Sequence, residues 1–449
     1  MKLTPFISSA IIAIVLFSCS LVAAQTSGKI SPVLDQYLKA PDDSYGWQFV
    51  EKLQSPLPGT KLSLLELTSQ KWHDIIWKHY MIVAVPTNIT FFDHALLYVN
   101  LGNTGSKPTK LSDFALAASM AAGAQMPIVI LYQVPNQPLD IRNTGTGWRE
   151  DDLIAESLLK TFETKDPTWA ILLPMVKSVI KAMDASQEYL KKEYQLDVDS
   201  FIVGGASKRG WTTWLTGASK DPRVAGLVPI IYNNLNLGEQ MNYQNESWGD
   251  FSPRINEYTS RKLFVKGETP TEEKEAVMKI IDPYAYLPRI TQPKLLIHGA
   301  NDPYWTVDAT KLYWNDVVGT KFLLTVPNVG HQSMDKPENL MKVLPTVGVF
   351  CQYIASGSDW PQLEWDLKEK DKEYQVSIFT EIPDTKKVLW TATADDNHFE
   401  EAKWESKDVG TGDVVSIPKV SKGHIAFFIE LQAIQEGTRF SLTTEVWKF

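Results

Sequence analysis

The chain has 449 residues, 44% of them hydrophobic and 22% charged, and its net charge is -9. This is more than one ordinary domain, with the composition of a folded chain rather than a disordered one. The acidic balance, with no lysine- or arginine-rich block, argues against nucleic acid as a partner.

In chain order, "MKLTPFISSAIIAIVLFSCSLVAAQ" comes first, with a basic start at Lys2, an apolar stretch and small residues ending at Ala23 and Ala24. It reads as a secretory signal peptide, residues 1–24, cut near Ala24–Gln25. The expectation is a secreted, extracellular protein with no membrane association after signal removal. The alternatives are an uncleaved anchor, short for a span of about 20 residues, and a lipid attached at Cys19. Removal of the signal leaves Cys351 alone, so no intrachain disulfide forms. Its apolar neighbours, "GVFCQYI", point to a buried, inert thiol. Sequons at Asn88 and Asn245 would accept glycans in a eukaryotic secretory route.

From residue 25 the pattern is mixed, with strand-like runs such as "LSLLELTS" and "YMIVAVPTN". Beyond residue 90, short apolar runs alternate with helical patterns. "HALLYVNL", "MPIVILYQV", "SFIVGG", "VAGLVPII", "KLLIHG" and "FLLTVP" each end at a Gly, Pro, Asn or polar break. Runs of this kind are buried parallel strands. "TWAILLPMVKSVIKAMDASQEYLKKEY" has the 3.6-residue period of a helix between them. The alternation predicts an α/β domain over 25–357, with an N-terminal β extension and helices on both faces of a mostly parallel sheet. Segments 136–166 and 232–283 follow strand ends and are expected to form lids or pocket walls. Residues 358–449 read as strands with charged turns, and predict an all-β, immunoglobulin-like sandwich. It is expected to pack against the main domain, shield the pocket or bind a carbohydrate or partner.

The candidate chemistry centres on "FIVGGASKRGWTTW". A serine hydroxyl needs a base, and the base needs a carboxylate. In the nucleophile elbow of α/β-hydrolases, G-x-S-x-G, glycines flank a strained strand-to-helix turn. Here Gly205 stands two before Ser207, Arg209 replaces the second glycine, and Gly210 comes one later. The competing role for Ser207 is a helix N-cap. The order serine, acid, histidine continues with Asp302 after "KLLIHG" and His331 after "FLLTVP", each past a strand end. His298 lies at a strand end and is expected to pack there. Oxyanion donors are expected from the Lys208 N–H and from Gly102 or Asn103 in "LGNTG", a stretch that also reads as an ordinary turn. The sequence has no H-E-x-x-H pair among its seven histidines, no paired cysteine motif and no Gly-rich phosphate loop, so neither a metal nor another cofactor is expected.

Glu150, Asp151, Asp152 and Glu156 cluster in "GWREDDLIAE". Facing Ser207, such carboxylates would bind the free amine of a peptide substrate. Otherwise Asp151 and Asp152 cap a helix beginning near Leu153, with Glu156 at capping-box spacing. Lys208 and Arg209 oppose the dipole of the helix they open. Arg209 is therefore expected to meet a carboxylate, from segment 136–156 or from the core.

The segments "LDQYLKAPDDSYGW", "YQVPNQPLDI", "REDDLIAESL", "LPMVKSVIKAMD", "GGASKRGWTTW" and "IIDPYAYLPRI" resemble the PhoPQ-activated pathogenicity-related family, which includes secreted proteins of the autocrine proliferation repressor A type. The resemblance runs from about Leu34 to His331 and implies an α/β-hydrolase of the prolyl-oligopeptidase-like group, with Ser-Lys-Arg-Gly as its usual elbow. Two functions follow as expectations. One is a secreted serine hydrolase acting on a small ester or a peptide, including removal of an N-terminal dipeptide. The other is a signalling protein that uses the fold as a scaffold to bind a cell-surface receptor.

Overall fold

A computed structural model describes residues 30–449 apart from residue 335. The expected signal peptide and Cys19 lie outside the described residues. The chain begins with α1 (Val33–Lys39) and three antiparallel strands, β1 (Gly46–Leu53), β2 (Thr60–Trp72) and β3 (Ile75–Pro86). β4 (His94–Val99), β5 (Ile128–Leu131), β6 (Ser200–Ala206), β7 (Val224–Ile230), β8 (Lys294–Gly299) and β9 (Lys321–Val326) follow. They fall on the six apolar runs of the sequence. The helices are α2 (Leu111–Ala124), α3 (Glu150–Thr164), α4 (Leu172–Tyr194), α5 (Lys208–Gly217), α6 (Leu237–Trp248), α7 (Asn256–Thr259), α8 (Glu272–Ile281) and α9 (Pro337–Ser356).

The strands join in the order β1-β2-β3-β5-β4-β6-β7-β8-β9, parallel from β5 to β9. Successive residues of a strand face opposite sides, and here both sides are apolar. Val203, Leu97 and Val129 join the core shared with α4 and α5, whereas Ile202, Leu96 and Ile128 join the core under α2 and α9. Helices cover both faces, so a continuous apolar run is what this sheet requires. Cutting a fully buried side chain such as Ile202 back to alanine would cost about 2–5 kcal/mol. Cys351 sits in α9, and burial pushes its thiol up to about 12. Asn88 is exposed just after β3, whereas Asn245 is half-buried in α6 with its amide oxygen enclosed.

Residues 358–449 are strands in two layers, one of which continues the central sheet. The strands are β10 (Leu363–Glu369), β11 (Glu373–Thr380), β12 (Lys386–Ala394), β13 (Glu405–Gly410), β14 (Val414–Pro418), β15 (His424–Gln435), β16 (Thr438–Thr443) and β17 (Trp447–Lys448). β10, β11 and β14 form one layer. The other, β16-β15-β12-β13 with β17 on β15, continues the central sheet into a 14-stranded one. Thr443 lies opposite Leu323 of β9, and the Thr325 N–H donates to Thr443 Oγ1 at 3.0 Å. An open β9 edge would present unpaired backbone groups, and β16 meets that edge at Leu323 and Thr325. The two layers share a core that includes Val376, Ile417, Phe427 and Ile429.

Candidate active site

β6 delivers the chain to the turn at Ser207, and α5 leaves it. Ser207 has φ +59° and ψ -122°, a conformation that non-glycine residues seldom adopt. Its N–H donates to the Ile230 carbonyl at the end of β7 (2.8 Å), and its carbonyl accepts from Trp211 (3.0 Å). Ser207 occupies the N-cap position of α5, yet its hydroxyl makes no capping bond. The glycine requirement falls on residues 205 and 210. A Cβ at Gly205 would stand 2.8 Å from the Arg209 carbonyl oxygen. A Cβ at Gly210 would stand 2.9 Å from Cβ of Tyr232 and 3.0 Å from the Ile230 oxygen. At position 209 the turn leaves room for a side chain, which accounts for the departure from G-x-S-x-G.

The loops after β8 and β9 bring two more residues to this turn. His331 Nδ1 is 2.7 Å from Asp302 Oδ2, and His331 Nε2 is 2.8 Å from Ser207 Oγ. An ionised carboxylate only accepts, so the proton belongs on Nδ1, and Nε2 accepts from the serine hydroxyl. Asp302 Oδ1 accepts the Tyr304 N–H at 3.0 Å. The Asp302 side chain is buried, the imidazole nearly so, and the rings of Tyr304 and Trp305 lie 4.3 and 5.8 Å from it. Such a constellation withdraws a proton from the hydroxyl as the oxygen attacks an electrophile. His298 lies elsewhere in the core. Burial pushes it down to about 3, and its Nε2 is 3.3 Å from the Tyr313 hydroxyl.

Helix geometry leaves the Lys208 N–H, at the first position of α5, without an intrahelical acceptor. Gly102 and Asn103 lie in the loop after β4, the strand hydrogen-bonded to β6 with Val99 opposite Gly205. Gly102 packs on Gln133, where a Cβ would stand 3.2 Å from the Gln133 nitrogen. Asn103 bridges to Gln137, and its side-chain oxygen accepts from Arg149.

The acidic cluster is already matched by cations of the chain itself. Glu150 takes two hydrogen bonds from Arg209 (2.8 and 2.6 Å), one from Gln137 (2.6 Å), and lies 3.5 Å from Lys208 Nζ. Asp151 pairs with Lys208 Nζ at 2.7 Å and accepts the Tyr258 hydroxyl at 2.9 Å. Asp152 pairs with Arg261, and Glu156 with Arg142 and Arg261. α3 begins at Glu150 without a side-chain cap, so the expected capping box does not form. The carboxylate expected for Arg209 is Glu150. Burial raises the Glu150 carboxyl, but Arg209 and Lys208 outweigh it and hold the group at about 2. The same contacts neutralise the two cations at the positive end of the α5 dipole.

Asn301 stands next to Asp302 in the chain. Its amide donates to the carbonyls of Phe399 (3.1 Å), Glu400 (3.1 Å) and Ala402 (2.7 Å), fixing that C-terminal segment beside Asp302. No pattern in a single sequence announces such a role. Among the described residues, no group of three or more His, Cys, Asp or Glu side chains is arranged to hold a metal ion, and no helix is long and apolar enough to cross a membrane.

Comparison with known proteins matches residues 34–399 to the family described as PhoPQ-activated pathogenicity-related protein. The chain belongs to that family. It is 29% identical to autocrine proliferation repressor protein A of Dictyostelium discoideum over 476 aligned positions, covering 96% of this chain and 92% of that protein. Among solved structures it is similar to acetyl xylan esterase 1 of a Thermoanaerobacterium species, with a TM-score of 0.47 and 14% identity over 70% of this chain and 92% of that one. An acetyl xylan esterase of a Paenibacillus species gives the same score and identity over 70% and 91%.

Proposed function

We propose that this member of the PhoPQ-activated pathogenicity-related family is a secreted serine hydrolase of the α/β-hydrolase type that cleaves esters. The observation that carries the proposal is the unbroken chain Ser207 Oγ, His331 Nε2, His331 Nδ1, Asp302 Oδ2 on a strained turn, with links of 2.8 and 2.7 Å. Ser207 Oγ attacks the ester carbonyl carbon while His331 Nε2 takes its proton. Asp302 keeps the imidazole in the Nδ1–H tautomer and stabilises the imidazolium. The Lys208 N–H, with an N–H of Gly102 or Asn103, receives the oxyanion. His331 then protonates the departing alcohol. Water, deprotonated by His331, frees the acid from Ser207.

An ester is favoured over a peptide with a free N-terminus because Glu150, Asp151 and Glu156 are each paired with a lysine or arginine of the chain. A substrate ammonium would have to displace those partners. The N-terminal segment of the sequence supports the extracellular assignment. A second reading is a secreted signal acting through a receptor, favoured by the name of the relative that is 29% identical over 96% of the chain.

The test is labelling by a fluorophosphonate probe together with turnover of p-nitrophenyl acetate. The wild type should label and turn over. Ser207→Ala should retain the native circular dichroism, lose the label and fall by about 10⁴-fold or more in kcat. A folded wild type that neither labels nor turns over the ester would leave the scaffold reading standing.

A further inference from the structure

In ester cleavage the imidazolium that took the serine proton gives it to the departing alcohol. A space lined by His331 can receive that alcohol. In this structure that space is an open cleft of about 810 Å³. Pockets of that size enclose most of a drug-sized ligand, far more than a methyl or ethyl alcohol fills.

Three parts of the chain wall the cleft. One is the end of α6 and its continuation to Arg254. Another is formed by the loops that carry Asp302 and His331. The third is the segment 398–403 from the C-terminal layers. These walls are tied together. Trp248 Nε1 donates to the Asn397 carbonyl at 3.0 Å, and its indole stacks on His398, with centroids 5.2 Å apart and planes within 11°. Asn328 and Trp404 exchange two hydrogen bonds of 3.0 and 2.9 Å, beside the three that Asn301 makes.

The lining has a definite chemical character. Arg254, Lys336 and Lys403 balance Asp250, Glu400 and Glu401, so the cleft favours neither a polyanion nor a polycation. Trp248 and Tyr304 offer aromatic surface among the carboxylates and the amide of Gln332, while the amides of Asn301 and Asn328 are spent on holding the wall. Aromatic rings accept the C–H faces of sugar rings, and carboxylates and amides accept and donate to their hydroxyls. An uncharged partner with apolar ring faces and many hydroxyls matches this lining.

We propose that the cleft binds the sugar rings of an O-acylated oligosaccharide, making the reaction a carbohydrate O-deacylation. This rests on the serine hydrolase reading and supplies its leaving group. The Ser207 Oγ–acyl bond forms as the acyl–sugar oxygen bond breaks. The serine proton passes through His331 to the sugar hydroxyl, and water then releases the carboxylic acid without any redox step.

The experiment uses partially O-acetylated cellotetraose and mannotetraose beside ethyl acetate, which has the same acyl group on a small alcohol. Wild-type kcat/KM should be at least tenfold higher for one of the tetraoses than for ethyl acetate. Trp248→Phe and Glu401→Gln should each lower the tetraose-to-ethyl-acetate ratio of kcat/KM at least fivefold, mainly through KM. Equal loss on both substrates, or wild-type preference for ethyl acetate, overturns the proposal. A measurement independent of catalysis is calorimetric binding of unmodified cellotetraose and mannotetraose to Ser207→Ala. Binding of at least one, weakened in the Ser207→Ala, Glu401→Gln double variant, supports the sugar cleft even if Ser207 proves inactive. No binding of either tetraose refutes the cleft and leaves the hydrolase reading to the fluorophosphonate test.

Discussion

Glu150→Gln perturbs the support of the nucleophile turn while nearly preserving volume. It removes the charge that meets Arg209, whose guanidinium is buried and otherwise bonded through Nε to the Val134 carbonyl. The Glu150 carboxyl is held at about 2, against 4.5 for an unperturbed glutamate. That difference corresponds to about 3 kcal/mol. The side chain is 36% exposed, so solvent screening reduces the stabilisation to about 2 kcal/mol. The folded-state value lies below the unfolded one. The stabilisation is therefore complete above about pH 4.5 and fades as pH falls through the folded value near 2. Urea unfolding at pH 7 should place Glu150→Gln about 2 kcal/mol below wild type, with the same gap at pH 6. By pH 3 the gap should shrink to less than half. The Lys208 N–H rides on the same turn, so kcat for p-nitrophenyl acetate should fall about tenfold with little change in KM. Equal stability at pH 7, or a gap that widens toward pH 3, would refute the account of this ion pair.

Two more outcomes follow from the geometry. Gly205→Ala drives a Cβ to 2.8 Å from the Arg209 carbonyl, so α5 must shift. The variant should lose about 1–3 kcal/mol in urea unfolding and most of its esterase turnover, and a wild-type midpoint with wild-type kcat would contradict the close approach. A chain ending at residue 357 strips β16 from β9 and should elute as aggregate in size-exclusion chromatography, whereas a monomer with native circular dichroism would show that the β9 edge tolerates exposure.

The six central strands were legible because a strand buried on both faces must be apolar throughout and must stop at a turn residue. Val203 and Ile202 are apolar for opposite cores, and that produces the unbroken run at Phe201–Val203. The convergence of Ser207, Asp302 and His331 was legible because each lies just past the end of a parallel strand, and such ends share one edge of the sheet. The partners of the acidic cluster were not legible. Glu150 and Arg209 are 59 residues apart, and a single sequence does not tell which cation a carboxylate will meet. In the sequence Glu150, Asp151 and Glu156 stand as unmatched acids, and only the fold sets Lys208, Arg209, Arg142 and Arg261 against them. The join of β16 to β9 was hidden for the same reason. Pairing between remote edges leaves no periodic trace, and the β pattern after residue 357 looks alike whether its sheet closes on itself or extends another.

The shared sheet also bears on the order in which the protein is made. β9 ends at Val326 and the strand that pairs its edge begins at Thr438, so roughly 110 residues must be translated between them. At 5–20 residues per second this takes about 5–20 s. Throughout that interval a parallel sheet with apolar faces presents an unpaired edge strand to other nascent chains. The C-terminal strands have two tasks: β16 pairs with that edge, and the earlier link between β12 and β13 carries residues 398–403, one wall of the cleft beside His331.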